Sequence, residues 1–101
     1  MRRAKVFILG RQAGVLEEIV PGECYAFEYL SDYVDEPLSL ALPTTTRRYE
    51  FKSFPPFFDG VLPEGSQLEA LLRHGKIDKR DLFSQLIAVG KDLVGAVTVE
   101  E

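Results

Sequence analysis

Residues 54–65, with the sequence FPPFFDGVLPEG, constrain the fold of this 101-residue chain more than any other stretch. They hold three of its six prolines, two of its eight glycines and three of its seven phenylalanines. Proline fixes φ and lacks a backbone donor, so Pro55, Pro56 and Pro63 do not fit the interior of a central strand or helix. The stretch is therefore predicted to be ordered but irregular, and the rest of the chain is interpreted around it.

Two phenylalanines in this stretch are direct neighbours. In any extended or helical geometry Phe57 and Phe58 point in different directions, so burying both requires two surfaces that meet here. One of these surfaces could belong to another molecule. The alternative is a hydrophobic loop packed under its own domain, with Phe57 as a core residue.

Composition limits the class of protein. With 46% hydrophobic residues the chain fits one small domain over residues 1–101, with a single core of modest size. A net charge of −4 argues against a nucleic-acid surface, because phosphate binding needs clustered Lys and Arg. No apolar run is long enough for a membrane-spanning helix. The single cysteine, Cys24, lacks Cys or His neighbours at metal-ligand spacing, which suits a reducing cytoplasm and argues against a metal site.

The first half of the chain has the patterns of strands. Apolar runs at 4–9 and 15–20 predict a β-hairpin, and residues 24–30 alternate so that Tyr25, Phe27 and Tyr29 share one face. Between two prolines, residues 38–42 are predicted to form a short edge strand. Residues 47–51 are a further, weaker strand prediction.

After the proline-rich stretch the apolar period changes to that of helices. A helix is predicted over 67–74, with Ser66 as N-cap, Glu69 completing a capping box and Gly75 as the stop. A second helix is predicted from Asp78 to Gly90, with an apolar face made by Leu82, Phe83, Leu86 and Ile87.

The last strand is predicted at 93–99. It is apolar on both faces, which is typical of a central strand or one covered by helices, and Gly95 within it suggests close backbone approach. The element order indicates an α+β domain with a mostly antiparallel sheet and two short helices before the last strand.

Signatures of catalysis are absent from the sequence. It contains no G-x-G-x-x-G, G-x-x-x-x-G-K-[ST], G-x-S-x-G or H-E-x-x-H motif. Asp59 and Glu64 could be a carboxylate pair for acid and base catalysis, but two carboxylates in a turn-rich loop are common without function. His74, the only histidine, fits a helix C-terminus better than a catalytic role. We expect no enzyme activity, no catalytic residue and no cofactor.

A family resemblance rests on two groups of residues. The run PFFDGVLPEG, with Phe57, Phe58, Leu62, Pro63, Glu64 and Gly65, and the later positions Gly90, Asp92, Gly95 and Ala96 are similar to motifs of the N-terminal subdomain of HipA-type serine/threonine kinases. These kinases belong to bacterial toxin–antitoxin systems. The resemblance covers essentially the whole chain, and it implies the fold of that subdomain without the kinase's ATP-binding core.

Within this family the chain resembles the stand-alone HipS proteins of tripartite HipBST systems. The start at Met1 and the end just after the last strand favour a short gene over a domain excised from a kinase. The resemblance implies an antitoxin that binds a HipT-like kinase toxin in trans, with an aminoacyl-tRNA synthetase as the type of kinase target and a HipB-like protein as the DNA-binding third component. It implies no direct contact with nucleic acid or membrane.

The residues expected to contact the kinase lie in and just after the proline-rich stretch. They combine aromatic groups with a rigid backbone that loses little entropy on docking: Phe57, Phe58, Asp59, Leu62, Pro63, Glu64, Gly65, Ser66 and Leu68.

Ser66 departs from the HipS pattern. The resemblance implies a tryptophan here that inserts toward the kinase active site, whereas this chain has no tryptophan at all. Binding and inhibition could therefore separate. The alternative function is a structural subunit that completes or regulates the kinase without blocking it.

Overall fold

The structure, a computed structural model, describes residues 1–93 and 95–101. The strands and helices follow the chain in this order: β1 (Arg2–Ile8), β2 (Arg11–Val20), β3 (Cys24–Tyr29), β4 (Arg48–Phe51), α1 (Pro56–Asp59), α2 (Gly65–Gly75), α3 (Leu82–Val89), a 3₁₀ turn (Gly90–Asp92) and β5 (Val97–Glu100). The strands form one antiparallel sheet with the order β4-β3-β2-β1-β5. The predicted α+β class is confirmed.

The predicted hairpin is confirmed as β1 and β2, and both strands are longer than expected. In β1 the buried residues Ala4 and Val6 alternate with exposed Arg3 and Lys5, so the charged positions lie on the outer face of the sheet. Charged residues interrupted the apolar runs in the sequence, but they fit the strand because only one face of the sheet is covered.

The third strand confirms the predicted aromatic face. Tyr25, Phe27 and Tyr29 of β3 are all buried, and the rings of Phe27 and Tyr29 meet edge to face with centroids 4.9 Å apart. These three rings form the centre of the core on the face of the sheet that the helices cover.

The strand predicted at 38–42 is wrong. These residues form a bend and a turn in which Leu38 and Leu42 are buried while Leu40 is 96% exposed. The Tyr29 hydroxyl accepts a hydrogen bond from Leu38 N and donates one to the Leu42 carbonyl. The Tyr29 hydroxyl thus forms hydrogen bonds with backbone groups that would pair with a neighbouring strand if this segment were in the sheet. The edge strand is instead β4, which confirms the strand predicted at 47–51.

The first long helix, α2, confirms the helix predicted at 67–74 but begins earlier than expected. Glu64 is the N-cap residue, with extended backbone, and Leu68 N donates to its carbonyl oxygen at 3.4 Å. Ser66 therefore lies inside the first turn, and its predicted role as N-cap is wrong. Gly75 is the last helical residue, and the chain leaves the helix at Lys76 in the left-handed conformation with φ of 52°.

The second long helix, α3, begins at Leu82, four residues after the predicted start at Asp78. Asp78 accepts from Arg80 N in a separate turn, and Asp81 is the residue that caps α3, accepting from Ser84 N at 3.0 Å. The predicted apolar face is correct in its centre, because Phe83 and Leu86 are fully buried. Gly90 ends the helix as expected.

The last strand, β5, is shorter than the predicted 93–99, and Val94 of that range lies outside the described residues. It is an edge strand beside β1, so the prediction of a central strand is wrong. The alternative, a strand covered by helices, agrees with the structure, because α3 and the 3₁₀ turn pack against β5. Close approach occurs at Gly90 instead of Gly95. A Cβ on Gly90 would lie 2.1 Å from the Val99 carbonyl oxygen, whereas Gly95 faces open space with φ of 102°.

Candidate partner-binding site

The proline-rich stretch is more regular than predicted. Phe54 and Pro55 are buried, and the chain then makes the one-turn helix α1 with Pro56 at its first position. Proline is tolerated there because the first turn of a helix leaves its N–H groups without partners in any case. Asp59 N donates to the Pro55 carbonyl at 3.0 Å, and Gly60 N donates to that of Pro56 at 2.9 Å.

The two neighbouring phenylalanines have different surroundings. Phe58 is fully buried, with its ring centroid 6.1 Å from that of Phe27 in β3. Phe57 is half-buried and meets Phe58 edge to face at 5.3 Å. Phe58 thus anchors the stretch to the sheet, and Phe57 is the ring with surface left for another molecule.

A groove opens directly after α1. It has a volume of about 700 Å³ and lies between the turn that leads into α2, the first two turns of α2, the end of α3 and the 3₁₀ turn. Its lining is mostly apolar: Gly60, Val61, Leu62, Pro63, Glu64, Gln67, Leu71, Val89, Asp92 and Leu93.

The residues predicted to contact a partner divide into groups. Leu62, Pro63 and Glu64 line the groove. Asp59, Gly65 and Ser66 are exposed nearby along the chain, and Leu68 is half-buried on α2. Phe58 is in the core, while Phe57 is half-buried beside it, and neither of them lines the groove.

Sequence reasoning missed the far side of the groove. Leu71 lies in the helix that directly follows the proline-rich stretch, whereas Val89 and Leu93 are distant from that stretch along the chain and reach the groove only through the tertiary fold. Two signals were available. Leu71 follows Leu68 at helical spacing, and Asp92 belongs to the second family motif.

The helix beside the groove leaves its apolar face incompletely covered. Leu68, Leu71 and Leu72 are only half-buried, and no residue of α2 is fully buried. In α3, by contrast, Phe83, Gln85 and Leu86 are buried. A helix normally gains most of its stability from burying an apolar stripe, so α2 has apolar surface available for a second molecule.

The groove also carries negative charge. Among the described residues that line it, the charged ones are Glu64 and Asp92, and both are exposed. Gln67 adds an amide that can donate and accept hydrogen bonds. The groove therefore combines an apolar floor with an acidic rim.

A polar cluster away from the groove joins the sheet to α3. The Arg2 guanidinium donates to Glu18 at 2.7 Å, to Asp81 at 2.8 Å and to the Ser84 hydroxyl at 2.7 Å. It also lies 4.9 Å from the centre of the Phe83 ring. These bonds join β1 and β2 to the start of α3, and each polar group has a partner.

The hydrogen bonds of this cluster stabilise the ionised forms of both Asp81 and Arg2. Burial alone would raise the pKa of Asp81, but hydrogen bonds from Arg2 and Ser84 outweigh it and hold that pKa below its ordinary value of 3.8. The hydrogen bonds that Arg2 donates to Glu18 and Asp81 raise the pKa of Arg2. An ion pair with all partners satisfied indicates a structural role.

The remaining candidates for chemistry are exposed. Asp59 and Glu64 lie at the surface on either side of the turn at 60–63, and His74 is exposed in the last turn of α2. In the described part of the chain, no group of three or more His, Cys, Asp or Glu residues is placed to hold a metal ion. None of the helices in residues 1–93 and 95–101 is long and apolar enough to cross a membrane.

Comparison with known proteins gives matches along the whole chain. The family model for the HipA N-terminal domain matches residues 4–100. An uncharacterised protein of Haemophilus influenzae is 34% identical over 101 residues, which are the whole of this chain and 93% of that protein.

Solved structures agree with the fold. A structure described as the N-terminal domain of HipA toxin superposes with a TM-score of 0.75 and is 31% identical, and the match covers 100% of this chain and 94% of that one. A Shewanella oneidensis toxin–antitoxin complex of HipA, HipB and operator DNA contains a chain with a TM-score of 0.72 and 20% identity. This second match covers 97% of the present chain but 23% of the other, and it supports the fold alone.

Proposed function

The chain belongs to the HipA N-terminal domain family, and from this premise we propose that it is an antitoxin that binds a HipT-like serine/threonine kinase toxin in trans and neutralises it. The toxin–antitoxin setting is that of the family. The finer role, binding a separate kinase, is supported by the surface around the proline-rich stretch.

The observation that carries the proposal is the incompletely covered apolar face beside the second half of this stretch. Leu62 and Pro63 line the groove, where Leu62 is itself buried in the core, and Leu68 and Leu71 continue the apolar surface along α2 while only half-buried. Exposed apolar surface is typical of a protein interface, and the part of it that Pro63 holds loses little backbone entropy when it is covered. A chain of this size buries only a small core of its own, so a partner that covers this apolar surface would add to the buried apolar area.

Neutralisation by binding requires no catalysis from this chain. We propose that Asp59 and Glu64, the carboxylates considered for acid and base chemistry, act as exposed polar groups at the edge of the interface. A HipB-like DNA-binding protein would complete a larger complex, and it would make the DNA contact. The negative net charge of this chain fits that division of roles.

A second candidate function is favoured by Ser66. This residue is exposed in the first turn of α2, where the family resemblance implies a tryptophan. A hydroxymethyl group cannot fill a pocket as an indole does. The chain would then bind the kinase as a structural or regulatory subunit without blocking its active site.

Co-expression tests both candidates. A HipT-like kinase from the same genome is expressed alone and together with this chain in a host whose growth the kinase arrests. Restored growth together with a stable complex on size-exclusion chromatography is the expected result for an antitoxin. A stable complex without restored growth would support the structural subunit.

The control is a Ser66→Trp variant, which returns the aromatic side chain at an exposed position and should leave the fold intact. If the serine is what separates binding from inhibition, this variant restores growth where the unchanged chain does not. Absence of a complex with either form would contradict both candidate functions.

A further inference from the structure

The groove and the exposed part of α2 form one continuous surface. Leu71 belongs to both, since it lines the groove and lies one helical turn from Leu68. Val89 and Leu93 face it from the end of α3 and the segment after the 3₁₀ turn. With a volume of about 700 Å³ the groove has room for more than one apolar side chain of a partner.

The acidic rim limits what can fill this groove. Glu64 and Asp92 are exposed at this rim, and a partner that covers the groove would remove part of their hydration, which destabilises a complex unless a cation or several donors meet each carboxylate. An apolar segment without positive charge would leave both carboxylates without a counter-charge. A second copy of this chain would bring the same acidic rim, and two chains that each carry a net charge of −4 would repel one another.

We propose that the groove receives a basic amphipathic segment of the partner kinase. Apolar side chains of that segment lie between Leu71 and Leu93, and Lys or Arg side chains next to them pair with Glu64 and Asp92. The inference rests on the proposed function and specifies the chemistry of its interface. It also extends the interface to α3 and the 3₁₀ turn, which lie outside the proline-rich stretch.

The test compares two double charge reversals with equal net effect. The groove variant carries Glu64→Lys and Asp92→Lys, and the control carries Glu69→Lys and Glu23→Lys, both of which are exposed and outside the groove. Titration calorimetry measures the Kd for the purified kinase at about 50 mM and about 500 mM salt. We expect the groove variant to bind about tenfold more weakly or worse at low salt, and the control to change by less than about threefold.

Neutral variants guard against loss of folding or of the helix start. Glu64→Gln with Asp92→Asn keeps the shape of both side chains, and it should weaken binding in the same direction while flattening the salt dependence. Circular dichroism verifies that each variant is folded.

The possible failures are distinct. Equal effects of the groove and control reversals on the Kd, or no effect of the neutral pair, would contradict the proposal that a basic segment fills the groove. Binding of the kinase itself would still stand. If the unchanged chain does not bind the kinase at all, the proposed function fails and this inference fails with it.

Discussion

At the scale of single residues, two adjacent phenylalanines show how position decides role. Phe58 is fully enclosed next to Phe27, whereas Phe57 is half-buried and only partly covered by its neighbour. The loss of a fully enclosed ring leaves a cavity, while a ring at the surface can be replaced by water. Phe58 therefore maintains the fold, and Phe57 remains available for contact.

Alanine substitutions should separate these two roles. Phe58→Ala is expected to lower the free energy of unfolding by about 3–5 kcal/mol, and Phe57→Ala by about 1–2 kcal/mol, because the second ring is already partly in water. Urea denaturation followed by circular dichroism measures both values. Phe57→Ala should remain folded and bind the kinase more weakly. Equal costs for the two variants would contradict the assignment.

A second residue-scale feature is the ion pair of Asp81 with Arg2. The pKa of Asp81 is lower in the folded protein than its ordinary value of 3.8, so folding is favoured when this carboxyl is ionised. The contribution is fully present above pH 3.8 and is lost as the pH falls through the folded-state pKa. The loss of this stabilising contribution therefore adds to acid unfolding below pH 3.8.

Asp81→Asn tests this linkage while keeping a residue that caps helices well. The variant should be less stable than the unchanged chain by about 1 kcal/mol at about pH 7, and the difference should shrink as the pH approaches 3 and below. Urea titrations over a pH series give the values. In an Arg2→Met background the effect of Asp81→Asn should become smaller, and an unchanged effect there would exclude Arg2 as the cause.

At the scale of elements, the contact between the 3₁₀ turn and β5 fixes the last strand. Gly90 approaches the Val99 backbone so closely that an added Cβ would lie 2.1 Å from the carbonyl oxygen and 2.9 Å from the carbonyl carbon. The atoms in the way are backbone atoms of a paired strand, which cannot rotate aside as a flexible side chain would.

Gly90→Ala should therefore shift or detach β5, and we expect a loss of about 2–3 kcal/mol in the free energy of unfolding. Gly60→Ala is the matched control, because its Cβ would meet its nearest neighbour at an ordinary 3.4 Å. The control should change stability by less than about 1 kcal/mol. Thermal unfolding of both variants measures the contrast, and similar stabilities would argue against the close approach.

Local patterns and long-range contacts differ in how far they can be predicted. The hairpin, the aromatic face of β3 and the apolar face of α3 follow from periods of 2 and 3.6 residues, which short windows contain. The segment 38–42 has the alternation of a strand, yet the Tyr29 hydroxyl, distant along the chain, folds it into a turn. Alternation is a property of the segment, but pairing depends on a neighbour.

At the scale of the whole molecule, stability is unevenly distributed. The core lies under the sheet, where β1, β2 and β3 contribute the most deeply buried residues, while α2 has no fully buried residue and touches mainly α3. Elements with few buried apolar contacts open at lower free energy than the core. The helix that we propose to meet the kinase is thus stabilised by few buried contacts of its own.

Hydrogen exchange can test this distribution. Backbone amides of α2 should exchange faster than those of β2 and β3, and adding the kinase should slow exchange in α2 more than in the sheet. The sheet amides are the internal control, because they report global unfolding. Protection of α2 equal to that of the sheet in the free chain would contradict this account.

The family, the α+β class and the type of most elements can be predicted from the amino-acid sequence alone. Motifs such as Pro63, Glu64 and Gly65 and the apolar periods are written in adjacent residues, and local sterics convert them into turns, strands and helices. Three features follow from the three-dimensional fold: Phe58 is the enclosed phenylalanine, β5 is an edge strand, and α2 and the 3₁₀ turn line a groove with an acidic rim. Each of these depends on contacts between residues far apart in the chain, which no local pattern records.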